Sequence, residues 1–369
     1  MTAAAVPVLE AVDLVKHYPV HGGWFAAPRH VHALDGVSIS LTAGETLGVV
    51  GESGCGKSTL ARCLMRLEEP TAGRVVLAGD DITHVARSLL RPLRRKMQIV
   101  FQDPYASLNP RWSIGSIVGD PIRLHEPLKR AERRARVAAL LETVGLGSEF
   151  MERHPHELSG GQRQRVAIAR AIAVNPAVVI CDEPVSSLDV SIQAQVINLL
   201  RRLQRSLGMA YLFISHNLAL VGRISDRVAV MYLGQVVEIA DARALRARRL
   251  HPYSQALFSA APVADPDAAA KKTRIILAGD VPSPVDPPSG CRFRTRCIYC
   301  AERCVTEAPA LRKVEDRWVR CHFAGEVGLG SLDPGPSSHC DARDDVIDGR
   351  VGGHPRECGH PRVGGDPIS

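Results

Sequence analysis

Aromatic residues are scarce in this chain of 369 residues. Phe, Trp and Tyr together make up only 4% of the sequence, so the hydrophobic core has to be built mainly from Val, Leu, Ile and Ala. Lysine is also rare, because the 46 Lys and Arg residues include only seven lysines. Hydrophobic residues amount to 45% and charged residues to 23%. These values are ordinary for a globular protein and exclude disorder throughout the chain.

Long hydrophobic runs are absent as well. The longest stretch without a formal charge, 206–222, contains Ser215, His216 and Asn217, whereas a helix needs about 20 mostly apolar residues to cross a bilayer. The N-terminal residues have neither the basic segment nor the apolar core of a signal peptide. We therefore expect the protein to stay in the cytoplasm. Disulfides are disfavoured there, so the ten cysteines need another explanation.

The sequence divides into three regions of different character. Residues 1–262 alternate short apolar runs with helical patterns, which is typical of an α/β fold. The region 263–323 begins as a Pro-rich connector, expected to be extended, and ends in a cluster of cysteines. Gly, Pro, Asp and Arg dominate 324–369 without any periodicity, and this composition predicts a disordered tail.

Several apolar runs in the first region predict strands. A period-two alternation at 37–41 indicates a half-buried strand, and two runs at 227–232 and 235–239 joined by Leu-Gly indicate a hairpin. Shorter runs that are apolar throughout predict parallel strands covered on both faces. These lie at 46–50, 177–181 and 211–214.

A Gly-rich segment directly follows the predicted strand 46–50 and precedes a helical stretch. It matches the pattern G-x-x-x-x-G-K-[ST], whose glycines let the backbone curl so that successive N–H groups point at phosphates. The lysine would reach the β- and γ-phosphates, and the hydroxyl of Ser58 would bind Mg²⁺. The predicted ATP-binding residues of this segment are Gly51, Glu52, Ser53, Gly54, Cys55, Gly56, Lys57, Ser58 and Thr59.

Two carboxylates directly follow the predicted strand 177–181. Asp182 is placed to hold Mg²⁺ through water, and Glu183 to polarise the attacking water. An apolar run followed by Asp-Glu is by itself an ordinary solvated strand end. Because this one lies downstream of a phosphate loop, we predict that Glu183 is the general base.

A second helix N-terminus with free N–H groups lies at 158–162. Ser159, Gly160, Gly161 and Gln162 open a helical pattern, and such a helix end is suited to another phosphate. One nucleotide does not need two such cradles within one chain. The arrangement makes sense if this helix end caps a nucleotide held by a different subunit. An ordinary Ser cap would explain Ser159 but not the paired glycines.

With these motifs the chain resembles the nucleotide-binding subunit of an ABC transporter over about residues 8–260. The resemblance implies that Tyr18 stacks on adenine, that Gln102 touches Mg²⁺ and the γ-phosphate and senses the membrane partner, and that His216 contacts the γ-phosphate as a catalytic residue. It also implies that Asp189 lies in a loop that crosses to the partner ATPase. Mg²⁺ would then be bound through Ser58, Gln102 and Asp182. Asn217 departs from the family, whose members commonly have Asp there.

The fold implied by this resemblance is a P-loop NTPase cassette within residues 1–262. It has a RecA-like α/β core, an antiparallel β subdomain and an inserted helical subdomain at about 103–172. A small Cys-rich C-terminal module would follow at 263–323.

Further segments resemble the oligopeptide/dipeptide importer subfamily. They are 100–111, 181–196, 251–257 and 282–297. The resemblance implies an ATPase on the cytoplasmic face of the cell membrane, bound peripherally to two transmembrane permease subunits. It also implies a second, different ATPase subunit, an external solute-binding protein and no nucleic acid. Nickel and glutathione importers share these features, so the solute is inferred by analogy alone.

The cysteine cluster has the spacing C-x5-C-x6-C-x16-C. Four thiolates can hold a [4Fe–4S] cluster or a structural Zn²⁺. We expect the iron–sulfur cluster, and we keep zinc and unligated thiols as alternatives. The predicted ligands are Cys291, Cys297, Cys304 and Cys321, with Cys300 as a fifth thiol.

Two other classes of function stay open at this point. The net charge of +7 also suits an ABC ATPase that acts on nucleic acid or ribosomes, although such proteins usually carry two cassettes or long coiled coils, and this chain has neither. A regulator that senses redox state through the cysteines would require metal loading to alter hydrolysis.

Overall fold

The computed structural model describes residues 6–20, 29–261 and 274–326. Strands and helices alternate along most of this length. The strands are β1 (Pro7–Val20), β2 (Arg29–Thr42), β3 (Thr46–Val50), β4 (Ala72–Leu77), β5 (Asp80–Asp81), β6 (Met97–Val100), β7 (Val178–Asp182), β8 (Ala210–Ile214), β9 (Arg227–Tyr232), β10 (Gln235–Asp241), β11 (Arg312–Val314) and β12 (Arg317–Val319).

The α-helices lie between and after these strands. They are α1 (Lys57–Leu64), α2 (Arg87–Arg94), α3 (Pro104–Ser107), α4 (Ile114–His125), α5 (Arg130–Thr143), α6 (Gly160–Ile172), α7 (Val190–Leu207), α8 (Leu218–Ile224), α9 (Ala242–Ala247), α10 (Pro252–Ser259) and α11 (Glu302–Thr306). Short 3-10 helices lie at Ser148–Glu152, Pro155–Glu157 and Arg294–Arg296.

The core of the molecule is an eight-stranded mixed sheet in the order β11-β12-β10-β9-β3-β8-β7-β6. β3, β7 and β8 are buried along their whole length, as expected of parallel strands covered by helices on both faces. The strands predicted from apolar runs are confirmed, with β7 and β8 each starting one residue away from its predicted start. The predicted hairpin is confirmed as the antiparallel pair β9–β10.

A separate antiparallel sheet, in the order β2-β1-β4-β5, lies beside the core. Its inward side chains include Leu14 and Leu34, which are fully buried. They belong to the same hydrophobic cluster as Leu60 on α1 and Leu47 on β3. This packing fixes the antiparallel sheet against the first helix of the core.

Helices fill the stretch between β6 and β7. α4, α5 and α6 pack through buried aliphatic side chains such as Ile117, Val137 and Val166. As the composition predicts, the side chains that pack between these helices are mainly Val, Leu, Ile and Ala. The fold is thus a mixed sheet covered by helices, with a second, antiparallel sheet beside it.

The C-terminal region is part of this architecture. β12 pairs with β10 in antiparallel register, with Glu238 opposite Val319, and Phe293 is buried in the main hydrophobic cluster. The backbone N–H of His32 donates to the carbonyl of Pro284 at 2.8 Å. In the described residues the C-terminal region thus packs directly against the nucleotide-binding part.

Two further sequence predictions concern membrane-spanning helices and the C-terminal tail. No helix in 6–20, 29–261 or 274–326 is both long and apolar enough to span a membrane. The predicted disordered tail, 324–369, lies outside the described residues except for its first three positions.

Candidate functional site

The loop between β3 and α1 folds as a compact curl that requires glycine. Gly56 has a φ of 103°, a left-handed conformation that costs a side chain about 1 kcal/mol or more. A Cβ at Gly56 would also lie 2.2 Å from the carbonyl oxygen of Ala33. The loop is thereby pressed against β2 and leads directly into the N-terminus of α1, whose first N–H groups have no partners within the helix.

Lys57 closes this loop. Its side chain is buried, and Nζ donates to the carbonyl oxygens of Gly51 and Glu52, both at 2.9 Å. The ammonium group therefore lies over the curl of backbone amides. An anion such as a triphosphate would meet a positive charge, a helix N-terminus and backbone N–H groups at one place.

Asp182 faces the loop from the carboxyl end of β7. Ser58 Oγ donates to Asp182 Oδ1 at 3.1 Å. Burial raises the pKa of Asp182, and the hydrogen bond from Ser58 partly offsets this effect. A hydroxyl and a carboxylate at this separation are ligands that suit Mg²⁺.

Glu183 contacts two other residues of the predicted site. Its Oε2 accepts from Nε2 of Gln102 at 3.1 Å, and its Oε1 lies 3.1 Å from Nδ1 of His216. Its φ of 48° is positive, a conformation that is rare for residues other than glycine and concentrates at functional sites. The structure thus brings Gln102, Glu183 and His216 together.

Tyr18 lies on β1 at the edge of the same cleft. Its hydroxyl donates to Glu68, and Lys16 Nζ lies 4.8 Å from the centroid of its ring. Burial first, and then the bond to Glu68, raises the pKa of Tyr18 to about 12. The phenol is therefore neutral at physiological pH, and its ring can stack on a base.

Most of the predicted ATP-binding residues line one cleft of about 560 Å³, whereas Gly51, Glu52, Cys55 and Asp182 are not among its lining residues. Its size is within the range of small-molecule and cofactor sites. Pro284, from the C-terminal region, also lines it, and no local sequence signal pointed to that residue. The lining residues are Tyr18, Val31, Ala33, Ser53, Gly54, Gly56, Lys57, Ser58, Thr59, Gln102, Glu183, His216 and Pro284.

The residues predicted to serve a partner's nucleotide are not among those that line this cleft. Ser159 is the N-cap of α6 and forms a capping box with Gln162, with Ser159 Oγ accepting from the Gln162 N–H at 3.3 Å. Gly161 has a packing reason, because a Cβ there would lie 2.8 Å from Ile192 Cγ2 on α7. Asp189 is the N-cap position of α7, without a side-chain cap bond.

The four predicted cysteine ligands line a second, small cavity together with His251 and Phe293. Burial raises the pKa of Cys291 to about 11 and that of Cys297 and Cys321 to about 12. These thiols are therefore protonated at neutral pH, and a metal would have to displace their protons.

The two sheets and the loop between β3 and α1 define the class of protein: a P-loop NTPase of the ATP-binding cassette type. Family models agree, since one described as ABC transporter matches residues 34–186 and one described as oligopeptide/dipeptide transporter, C-terminal region, matches residues 237–304. The chain belongs to the ATP-binding proteins of the oligopeptide/dipeptide ABC transporter family, and it is an ATPase of the kind that drives transport.

Curated relatives support this assignment over most of the chain. A di/tripeptide transport ATP-binding protein of Pseudomonas aeruginosa is 51% identical, over 86% of this chain and 98% of the relative. An oligopeptide transport ATP-binding protein of Escherichia coli is 50% identical, over 85% of this chain and 95% of the relative. A probable peptide ABC transporter ATP-binding protein of Sinorhizobium fredii is 51% identical, over 89% and 93%.

Solved structures resemble the cassette part. An ATP-binding cassette solved as a dimer in a post-hydrolysis state with ADP and phosphate has a TM-score of 0.58 and 29% identity, and the match covers 64% of this chain and 99% of that one. A protein from Clostridium perfringens that is part of an ABC transporter complex has a TM-score of 0.57 and 29% identity, over 66% of this chain and 91% of that one.

Proposed function

We propose that this chain is the ATP-hydrolysing subunit of an ABC importer for oligopeptides or dipeptides, attached peripherally to the cytoplasmic face of the cell membrane. The observation that carries the proposal is the convergence of Gln102 and His216 on Glu183 beside the Lys57 loop. The names of the relatives, at about 50% identity, support peptides as the solute.

Each residue of the site has its own role in ATP hydrolysis. Lys57 and the loop amides bind the phosphates, and Tyr18 stacks on the base. Ser58, Asp182 and Gln102 would hold Mg²⁺, and the ion would supply positive charge next to the phosphates. Glu183 accepts a proton from the attacking water. His216 holds the Glu183 carboxylate in place and reaches toward the γ-phosphate.

A second ATPase subunit completes the site. The helix end formed by Ser159, Gly160, Gly161 and Gln162, together with Asp189, lies outside the chain's own cleft and is proposed to cap ATP held by the partner. The dimeric form of the cassette bound to ADP and phosphate supports such an arrangement. In the importer the partner would be a different ATPase chain.

Two permease subunits and an external solute-binding protein would complete the transporter. A groove of about 440 Å³ lies on α4 and α5 and is lined by Trp112, Arg130 and Arg133 among others. α3 and α4 follow directly after Gln102, the residue expected to sense the membrane partner. We assign this groove to a cytoplasmic segment of the permease.

An exposed aromatic gives a test of the docking surface. Trp112 is 41% exposed, and Trp112→Glu is expected to abolish copurification with the permease while ATP still binds. Leu89→Glu is the matched control, because Leu89 is also exposed but lies on α2. Equal loss of the permease in both variants would contradict the assignment of the groove.

Uptake by reconstituted vesicles tests the importer itself. The chain copurified with its native membrane partners should support ATP-dependent uptake of a labelled dipeptide or tripeptide. Uptake of nickel or glutathione instead would transfer the assignment to another importer of the same architecture. Copurification with RNA rather than with membrane subunits would favour an ATPase acting on nucleic acid or ribosomes.

The cysteine cavity is proposed to hold a [4Fe–4S] cluster. Among the described residues no three of its thiol sulfurs lie within 4.8 Å of one another, whereas a single tetrahedral zinc, with Zn–S bonds of about 2.3 Å, needs sulfurs about 3.8 Å apart. The thiols are therefore not preorganised around a single zinc ion. The free volume is only about 10 Å³, room for about one water, so loading would push the lining side chains outward.

The metal content of protein purified without oxygen distinguishes an iron–sulfur cluster, zinc and unligated thiols in the cysteine cavity. A brown protein whose visible absorption fades on reduction is expected, with four irons and four sulfides per chain. A colourless protein with one zinc per chain would replace the cluster by a structural ion. A region free of metal that still resists proteolysis would mean unligated thiols. If metal loading altered the rate of ATP hydrolysis, the redox-sensing alternative would gain support.

A further inference from the structure

A buried arginine of the C-terminal region reaches the phosphate loop. Arg296 ends the 3-10 turn Arg294–Arg296, and its side chain is only 9% exposed. Its Nη1 donates to Oε2 of Glu52 at 2.9 Å, across 244 positions of sequence. Glu52 is the residue directly after Gly51 in the loop, so the contact ends within the phosphate-binding curl itself.

The backbone of Glu52 is also held. Its N–H donates to Oη of Tyr253 at 2.9 Å, and its carbonyl oxygen accepts from Lys57 Nζ at 2.9 Å. Glu52 is thus fixed at its amide, its carbonyl and its carboxylate. Because the Glu52 amide points at Tyr253, the orientation of the adjoining loop backbone depends on how Glu52 is held.

The turn that carries Arg296 is firmly anchored on the cassette. Phe293 packs against Tyr232 and Tyr253, with ring centroids 5.2 and 5.5 Å apart. Arg292 donates to the carbonyl of Leu233 on the β9–β10 turn and pairs with Asp35. The backbone that carries Arg296 is therefore held in place, and its side chain reaches the loop with little freedom to move.

We propose that Arg296 is a positioning residue for the phosphate loop, supplied by the C-terminal region. The inference rests on the proposed ATP-binding function of this loop. With Arg296 present, the Glu52 carboxylate is neutralised and directed away from the cleft. Without it, an unpaired carboxylate in the loop would turn toward the triphosphate and repel it, and Glu52 would lose one of its three attachments.

Nucleotide binding by the full-length chain tests this role. Arg296→Gln should raise the Kd for MgATP about tenfold, the size expected from losing one charge-assisted hydrogen bond, with a larger effect on KM than on kcat. Arg296→Lys should restore most of the affinity because it keeps the charge. Arg303→Gln is the control, since Arg303 pairs with Glu307 on the surface of the same region and should leave the Kd unchanged.

A double-mutant cycle with Glu52→Gln separates positioning from a general loss of structure. If Arg296 acts through Glu52, then Arg296→Gln should have little further effect in the Glu52→Gln background. Effects that multiply, or an unchanged Kd in a folded Arg296→Gln chain, would overturn the inference. Should Arg296→Gln fail to fold, Arg296→Met, which keeps the apolar stem of the side chain without its charge, is measured in both backgrounds instead. A wild-type chain that binds no ATP would instead refute the proposed function.

Discussion

At the scale of single residues, Glu183 concentrates the chemistry of the site. One carboxylate oxygen faces His216 and the other accepts from Gln102, each at 3.1 Å. Each oxygen thus has one neighbour that fixes its direction, and a base must be held within reach of the proton it accepts. The positive φ of Glu183 places the side chain in the cleft at a cost in backbone strain of about 1–3 kcal/mol.

Glu183→Gln is expected to leave ATP binding intact and to reduce turnover at least tenfold. The amide keeps the shape of the side chain but cannot accept the proton, and general base catalysis is worth about 10²–10⁴-fold. The measurement is the steady-state ATPase rate of the assembled transporter together with the Kd for ATP. Glu142→Gln, exposed on α5, is the control, and hydrolysis at the control's rate by Glu183→Gln would remove Glu183 from its role.

His251 should make folding sensitive to mild acid. Burial lowers the pKa of His251 to about 3, and its Nδ1 accepts the N–H of Tyr253 at 3.0 Å as the N-cap of α10. In the unfolded chain the pKa is about 6.5, so the unfolded state alone takes up a proton between these values. The stability contributed by neutral His251 is therefore complete above about pH 6.5 and is lost as the pH falls toward 3.

Chemical denaturation at pH 7.5 and pH 5 measures this effect. His251→Asn keeps an N-cap acceptor but does not titrate, so its free energy of unfolding should fall less steeply, by up to about 1.4 kcal/mol per pH unit. His30→Asn, exposed on β2, should behave like wild type. Parallel pH profiles for wild type and His251→Asn would contradict the assignment.

At the scale of elements, the N-terminus of α6 has a structural and a proposed functional role. A serine cap alone explains Ser159 but not the two glycines after it. The structure gives one of them a packing reason, since Gly161 lets α6 approach Ile192 on α7. Ser159 and Gly160 are exposed, so the helix end is accessible to a phosphate from another subunit.

Ser159→Arg should impair hydrolysis at the partner's site more than ATP binding in this chain's own loop. A bulky cation at the N-cap would block the helix end, whereas the Lys57 cleft does not include it. Ser159→Ala is the control, because it removes the cap, at a cost of about 1 kcal/mol, without adding bulk. Collapse of nucleotide affinity in the isolated Ser159→Arg chain would make the cross-subunit assignment wrong.

At the scale of the whole molecule, the C-terminal region completes the cassette. β12 covers the edge of β10, and an uncovered edge strand is prone to pair with other chains. Phe293 contributes an aromatic ring to a chain with only seven Phe residues. Removing this region would expose both the edge and the pocket that the ring fills.

A chain ending at residue 261 should therefore be markedly less stable than one ending at residue 326. The loss of Phe293 alone corresponds to about 3–5 kcal/mol by analogy with buried Phe→Ala changes, and the bare edge of β10 favours aggregation. Thermal denaturation and size-exclusion chromatography measure both effects. The chain ending at residue 326 is the control, because it keeps every residue that the structure describes, and equal melting temperatures would refute the prediction.

The sequence by itself determined the parts whose chemistry is local. The phosphate loop, the two carboxylates at the end of β7 and the capped start of α6 could each be recognised from about ten consecutive residues. Their function depends on backbone conformations that Gly, Ser and strand-forming residues set within one turn. For the same reason β3, β7, β8 and the β9–β10 hairpin could be predicted from short apolar runs.

Only the tertiary structure decided which distant residues meet. Gln102 reaches Glu183 across 81 positions, Tyr253 reaches Glu52 across 201 and Arg296 reaches Glu52 across 244. Such contacts depend on the order of strands in the sheet and on how the C-terminal region closes over its edge, and no local pattern encodes either. A Pro-rich connector predicts an extended backbone but not its direction, so the sequence could not show that Pro284 lies at the ATP cleft.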